Sequence, residues 1–262
     1  MERTYENRFE DRIVTDQPLD FTFEQNASGS LVIFLEGENK EITIDLKAKS
    51  YSYTKIFIQN RMEHELALTI KADVENDAKI EMGLLDLQDE EFILKADGSL
   101  NQQGATMELS TAQLSLAKKK KKANIELTSH TAHTYGNIHN FAVVYNEGQY
   151  EMVAAGRIDK GAFGSESHQE TRVLTMGKDH TVITLPILYI DENDVKASHA
   201  LTVGQPDADQ LYYLQSRGLS TMQAMGLLAI GYFKPVAALI DDEDLRQQLE
   251  QEIEVKAGLY EH

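Results

Sequence analysis

The chain has 262 residues, of which 42% are hydrophobic and 26% are charged, so it has enough apolar material for one sizeable core. Its 25 lysines and arginines against 43 aspartates and glutamates give a formal net charge of −18. Such an acidic surface repels phosphate backbones and anionic lipid, so we expect no nucleic-acid partner. Cysteine is absent, which excludes disulfides, a cysteine nucleophile and thiolate metal sites.

From about residue 20 to residue 202 the chain reads as short strands in quick succession. Most alternate apolar and polar residues at period two, as half-buried strands do, and the linkers between them are short. The predicted strands are LVIFL (31–35), ITIDL (42–46), YTKIFI (53–58), LALTIKA (66–72), AKIEMGLL (78–85), EFILKA (91–96), TMELS (106–110), ANIEL (123–127), NFAVVY (140–145), YEMVAAGRI (150–158), RVLTM (172–176) and TVITLPILYI (181–190).

No helical stretch separates these strands, which excludes a doubly wound α/β sheet. A sandwich, a barrel and a β-solenoid would all give this spacing, and the strand pattern alone leaves the three open.

The pattern changes to helix near Pro206. Asp207 is suited to cap a first helix that stops at Gly218, and Ser220 with Gln223 forms a capping box for a second. We expect Pro235 to break the second helix. A third, from about residue 241 to 256, carries a narrow apolar stripe that indicates ordinary packing, formed by Leu245, Leu249 and Ile253. The predicted domains are therefore residues 1–205 and residues 206–262.

Targeting and membrane signals are missing from the sequence. The N-terminal segment MERTYENRFEDRIV is charged and lacks the apolar core of a signal peptide. The longest uncharged stretch, residues 218–233, is shorter than the ~20 apolar residues that span a bilayer. We therefore expect a cytoplasmic protein with no membrane partner.

No motif of a known enzyme class is present, and no carboxylate pair stands out, so the expectation is a non-enzyme. His130 and His133 would point to opposite faces of a strand, which argues against a shared metal. The run from Lys118 to Lys122 is interpreted as a solvated turn or a charged edge strand rather than an anion site.

One segment is more specific. DENDVKASHALTVG (191–204), followed by DQLYYLQSRGL (209–219), resembles the C-terminal signature of the SufB/SufD family of iron–sulfur cluster assembly proteins. HTAHT (130–134), GRIDKGAFGSESHQ (156–169) and LPILYID (185–191) are similar to further family segments. The resemblance covers about residues 125–235.

The resemblance implies a mainly β fold: a right-handed parallel β-helix core with a small C-terminal α-helical domain. It also implies a SufC-like ABC ATPase bound by the helices, and pairing through the β-helix as a homodimer or a SufB-like heterodimer. The residues that we predict to contact the ATPase are Leu211, Tyr212, Leu214 and Arg217.

The departures from the family pattern concern the cluster ligands. The position of a SufB cysteine falls at His180, that of a SufB glutamate at Ala200, and that of a SufD cysteine at Ala197. His199 is retained. It is predicted either as a partly buried structural histidine at a strand end or, with His180 as companion, as a ligand for iron or an iron–sulfur cluster shared with a partner subunit. One imidazole without thiolates holds no cluster by itself.

The leading hypothesis is a SufD-like, non-catalytic subunit of an iron–sulfur cluster assembly complex that couples to a SufC-like ATPase. The alternative is a cysteine-free β-helix interaction protein that dimerises but has left cluster chemistry. A β-helix polysaccharide lyase or hydrolase is disfavoured, because such enzymes are usually secreted.

Overall fold

A computed structural model describes residues 1–116 and 118–258 of the chain. In these residues sixteen strands precede three helices. The strands are Glu2–Tyr5 (β1), Arg8–Thr15 (β2), Leu19–Phe23 (β3), Ser28–Leu35 (β4), Glu41–Ala48 (β5), Tyr53–Asn60 (β6), Leu66–Val74 (β7), Lys79–Asp86 (β8), Phe92–Leu100 (β9), Thr106–Ser115 (β10), Lys120–Ser129 (β11), Tyr135–Val144 (β12), Gln149–Ile158 (β13), Glu166–Thr175 (β14), Thr181–Ile190 (β15) and Lys196–Gly204 (β16). The helices are Ala208–Ser216 (α1), Thr221–Ala237 (α2) and Glu243–Lys256 (α3).

The strands form two eight-stranded sheets, one made of the odd-numbered strands and the other of the even-numbered strands. Neighbouring strands pair in parallel in both sheets. One odd strand and the even strand after it form one coil, and the eight coils stack into a β-solenoid. The prediction of a parallel β-helix is confirmed, and the sandwich and barrel alternatives are wrong.

The coils stack in register, with stacked neighbours 26 residues apart at Asn60–Asp86 and 29 at Thr111–Asn140. The side chains that face the solenoid axis form columns through the core. One column of the even sheet contains five buried aliphatic residues, namely Leu31, Ile56, Met82, Leu109 and Ile138. Burial of such columns is what holds a repeat fold together.

The helices lie on the outer face of the even sheet, where they form a second core. Phe233 and Val236 of α2 are fully buried there together with outward-facing strand residues such as Phe57 and Phe141. Gly83 permits the close approach, because a Cβ at this position would lie 2.7 Å from a methyl carbon of Leu239. This second core explains why several even strands contain consecutive apolar residues.

The predicted helix starts are confirmed. Asp207 accepts a hydrogen bond from the backbone N–H of Gln210 at 2.9 Å, and Ser220 and Gln223 form the capping box. The stripe of α3 is buried, as expected of ordinary packing. The prediction that Pro235 breaks α2 is wrong, since the helix continues to Ala237. Burial of Val236 and Ala237 against the sheet offsets the hydrogen bond that proline cannot donate.

Candidate functional site at the open end of the solenoid

The last coil, β15 with β16, has no further coil stacked on it, so its axis-facing side chains remain accessible. Residues opposite each other on parallel strands point to the same side, and Val203 lies opposite the core residue Val173. Val203 and Leu201 therefore face the axis, yet they are 46% and 42% exposed. We call this surface the open end.

The outer face of β15 is apolar as well. In the odd sheet one outward column carries Asp45, Lys71, Asp97 and Glu126 in the earlier coils, then Ala155 and finally Ile187 on β15. Ile183, Leu185 and Tyr189 on the same face are exposed. A strand that is apolar on both faces is typical of a strand buried on both sides. β15 therefore has the composition of an interior strand at the edge of a sheet.

His199 lies in the middle of the open end. It is opposite Gln169, which follows Ile138 in the aliphatic column of the even sheet, so its side chain belongs to the axis-facing set. His199 is exposed and is the fourth residue of β16. The expectation of a partly buried histidine at a strand end is therefore wrong.

His180 lies elsewhere in the last coil. It immediately precedes β15, whereas β16 starts from the opposite edge of the solenoid, near residue 195. At about 3.3 Å per residue, His180 and His199 are roughly 20 Å apart along the strands. The Nδ1 atom of His180 is buried and has no hydrogen-bond partner among the described residues. Within the same residues, no group of three or more His, Asp or Glu side chains is placed to hold a metal ion.

The first helix, α1, packs only lightly, and none of its residues is buried. Tyr212 is 74% exposed, Arg217 is exposed beside the ring of Tyr213, and Leu211 and Leu214 are half-buried. A groove of about 440 Å³ separates α1 from α2, and its lining is Asp209, Gln210, Tyr213, Leu214 and Leu228. Of the four predicted ATPase contacts, Leu214 lines this groove.

These features can be compared with known proteins. Residues 24–232 match the family model described as "SUF system FeS cluster assembly, SufBD core domain". The chain belongs to the SufB/SufD family. The match includes His199 and the whole of α1, and it excludes α3.

Individual relatives agree with this assignment. The chain is 31% identical over 180 residues to the iron–sulfur cluster assembly protein SufD of Bacillus subtilis. The aligned region covers 69% of this chain and 41% of that protein. It is 31% identical over 107 residues to SufD of Escherichia coli, covering 41% of this chain and 25% of the relative. A SufBD family protein of Mycobacterium leprae is 30% identical over 130 residues, covering 48% of this chain and 15% of the relative. The matched part is therefore less than half of each of these relatives.

The lysine run, residues 118–122, forms ion pairs within the solenoid of this SufB/SufD family member. Lys118 pairs with Glu147 and Lys119 with Glu90, each within 3.5 Å. Lys120 and Lys122 both lie within 3.5 Å of Glu151. Lys121 is fully buried against Asp86 at 2.8 Å and donates to the backbone oxygens of Gln88 and Glu90. The charged-edge alternative is wrong, because β11 lies between β9 and β13.

Two of the histidines that follow this run lie in a turn. His130 and His133 lie in the turn between β11 and β12 rather than on a strand, and His130 Nδ1 lies 2.7 Å from Asp159.

None of the helices in the described part of the chain has both the length and the apolarity that a membrane crossing needs.

The sequence analysis did not single out the apolar residues of the open end. The sequence does indicate a strand buried on both faces, because neither the odd nor the even positions of TVITLPILYI (181–190) carry a charged residue. What sequence could not show is that β15 belongs to the last coil.

Proposed function

We propose that this chain is a SufD-like, non-catalytic subunit of an iron–sulfur cluster assembly complex, and that its open end is the surface that meets the partner subunit. The observation that carries the proposal is an apolar coil end with one histidine at its centre, Leu201 and Val203 being exposed around His199. Burial of such a surface drives association, and the free edges of β15 and β16 can pair with strands of another chain.

The partner of the open end is either a second copy of this chain or a SufB-like subunit. The proposal treats the iron–sulfur cluster as cargo rather than as a resident cofactor. His199 supplies one imidazole ligand, and the partner supplies the thiolates that this chain lacks, because clusters are held mainly by cysteine. A homodimer contributes only imidazoles, so cluster binding requires the SufB-like partner.

Coupling to a SufC-like ABC ATPase is assigned to α1. Tyr212 and Arg217 are exposed, and Leu214 lines the groove beside α2. Exposed tyrosine and arginine side chains are enriched among the residues that contribute most to the free energy of protein–protein binding. We expect Tyr212→Ala combined with Leu214→Ala to weaken ATPase binding by about 100-fold, which corresponds to about 3 kcal/mol.

The test is co-expression with a SufC-type ATPase and a SufB-type subunit, anaerobic purification, and measurement of stoichiometry and iron content. We expect a stable complex whose iron content falls in His199→Ala. His180→Ala should leave the iron content unchanged, because His180 lies roughly 20 Å from His199 along the strands and cannot share a ligand with it. Leu227→Ala, an exposed position on α2, is the matched control for the α1 variants.

Two outcomes would change the conclusion. A complex with the ATPase that contains no iron in any combination supports the alternative function, an interaction protein that has left cluster chemistry. Absence of ATPase binding by the intact chain contradicts the assignment of α1.

A further inference from the structure

The column of axis-facing residues that leads to His199 changes character at the last two coils. Five aliphatic residues, Leu31 to Ile138, are followed by Gln169 and then by His199. Side chains at successive positions of such a column are about 4.8 Å apart at their bases, which is within reach of a hydrogen bond between a glutamine and a histidine.

The amide of Gln169 is half satisfied. Its Nε2 donates to the backbone oxygen of Ile187 on β15 at 2.8 Å, so the side chain spans from the even sheet to the odd sheet. Its Oε1 is buried and has no partner among the described residues, while the whole residue is only 4% exposed. A buried acceptor in this state normally has a donor close by.

Space for this side chain is provided by Gly156 on β13. A Cβ there would lie 2.1 Å from the hydroxyl of Ser167 and 3.0 Å from Nε2 of Gln169. The glycine therefore lets two polar side chains occupy the axis directly above the open end. With Nε2 bonded to Ile187, Gln169 is held in one orientation.

We propose that Gln169 is the positioning residue of His199: the unpartnered Oε1 accepts the imidazole N–H when the exposed His199 ring turns toward the axis, which selects one tautomer and leaves the other ring nitrogen free to bind a metal at the open end. Ligating histidines commonly donate their second ring N–H to such a group, which fixes the ring. This inference rests on the proposed ligand role of His199.

The experiment measures the tautomer of His199 in the isolated chain by ¹⁵N NMR of histidine-labelled protein near pH 8.5, where an ordinary imidazole is neutral. The His199→Ala spectrum identifies the His199 signals among those of the 8 histidines. We expect Gln169→Leu to change the ratio of the two tautomers about fivefold, the effect of one ordinary hydrogen bond.

Two further variants separate positioning from a structural effect. Gln169→Glu keeps an acceptor oxygen and should retain the wild-type ratio. Gln113→Leu is the matched control, because Gln113 is also fully buried with no partner for either amide atom among the described residues, but it lies on β10, two coils before the β14 coil of Gln169. Its ratio should equal that of the wild type.

An unchanged ratio in Gln169→Leu overturns the inference, as does an equal change in Gln113→Leu. Circular dichroism of each variant verifies the fold, and Gln169→Met, which also removes the acceptor oxygen, replaces the Leu variant if that variant does not fold. The measurement needs no cluster, ATPase or partner. If the tautomer ratio does not change, the proposed function is unaffected. If the co-expression experiment contradicts the proposed function, the measured tautomer ratio remains valid.

Discussion

The two ends of the solenoid present the same backbone geometry but opposite side-chain surfaces. At the first coil the ring of Tyr5 stacks on Phe9 at 4.3 Å, and both rings cover Phe23, which is 0% exposed. At the last coil nothing covers Leu201 and Val203. The first coil closes the core with its own aromatic residues, and the last coil leaves the core open.

The first and last coils also differ in the charged side chains that face the axis. Arg3 lies opposite the core residue Phe21, and Asp11 lies opposite the core residue Leu31, so both side chains face the axis. There they form an ion pair. The hydroxyl of Tyr5 donates a 2.6 Å hydrogen bond to the carboxylate of Asp11. Inward-facing charges on edge strands oppose the addition of further strands. The axis-facing residues of β16, by contrast, include no lysine, arginine, aspartate or glutamate. The first coil thus carries features that oppose strand addition, whereas the last coil leaves apolar axis-facing side chains exposed.

The largest expected effect comes from placing charge on the open end. We predict that Leu201→Asp combined with Val203→Asp weakens association, with a second copy or with a SufB-like subunit, by at least about 100-fold, or about 3 kcal/mol. The reason is that the new carboxylates would be buried without partners. Sedimentation at several concentrations measures the effect. Val14→Asp, on an exposed apolar residue of the first coil, should leave association unchanged.

Association that is equally strong in the doubly charged variant would remove the open end as the interface. A wild-type chain that stays monomeric at every concentration, and also in the presence of a SufB-like subunit, would do so too.

A smaller effect is expected from truncating one aromatic residue at each end. Phe9→Ala should lower the free energy of unfolding by about 2 kcal/mol, because Phe9 is half-buried and its loss uncovers the first coil. Tyr189→Ala, at a 40% exposed residue of β15, should change monomer stability by less than about 0.5 kcal/mol and should weaken association instead. Urea unfolding and sedimentation of both variants measure the two quantities, and reversed results would contradict the comparison.

The smallest effect is the pH dependence of the first coil. Burial raises the pKa of Asp11, but hydrogen bonds from Tyr5 and Arg3 outweigh burial and leave the pKa below its ordinary value of 3.8. Because the folded pKa is lower than the unfolded one, this contribution to stability is present above about pH 4 and is lost as the pH falls through the folded pKa. Asp11→Asn should therefore be less stable than wild type at pH 6, with the difference shrinking at pH 2. Unfolding curves at both pH values measure it, and a difference that stays constant would contradict the ion-pair explanation.

Much of the local structure was accessible from sequence. Residues 42–46 and 66–72 alternate at period two and are strands, and Asp207 and Ser220 start helices where capping residues predict them. Strands β1 to β3 were not identified, because the charged stretch around Arg8 to Arg12 conceals its alternation. The break predicted at Pro235 does not occur, because the cost of a proline in a helix is local whereas the burial that offsets it comes from the sheet.

Most of the strands, the helix starts and, through the segment around His199, the family could be predicted from local sequence, because periodicity, capping and motif spacing depend on neighbours along the chain; β1 to β3 and β16 were missed. Only the tertiary structure decided that alternate strands enter two parallel sheets, that α2 and α3 cover the outer face of one of them, and that β15 and β16 end the stack uncovered. These features depend on contacts between residues about 30 positions apart, such as His168 with Ser198, and a local pattern does not encode which coil is the last.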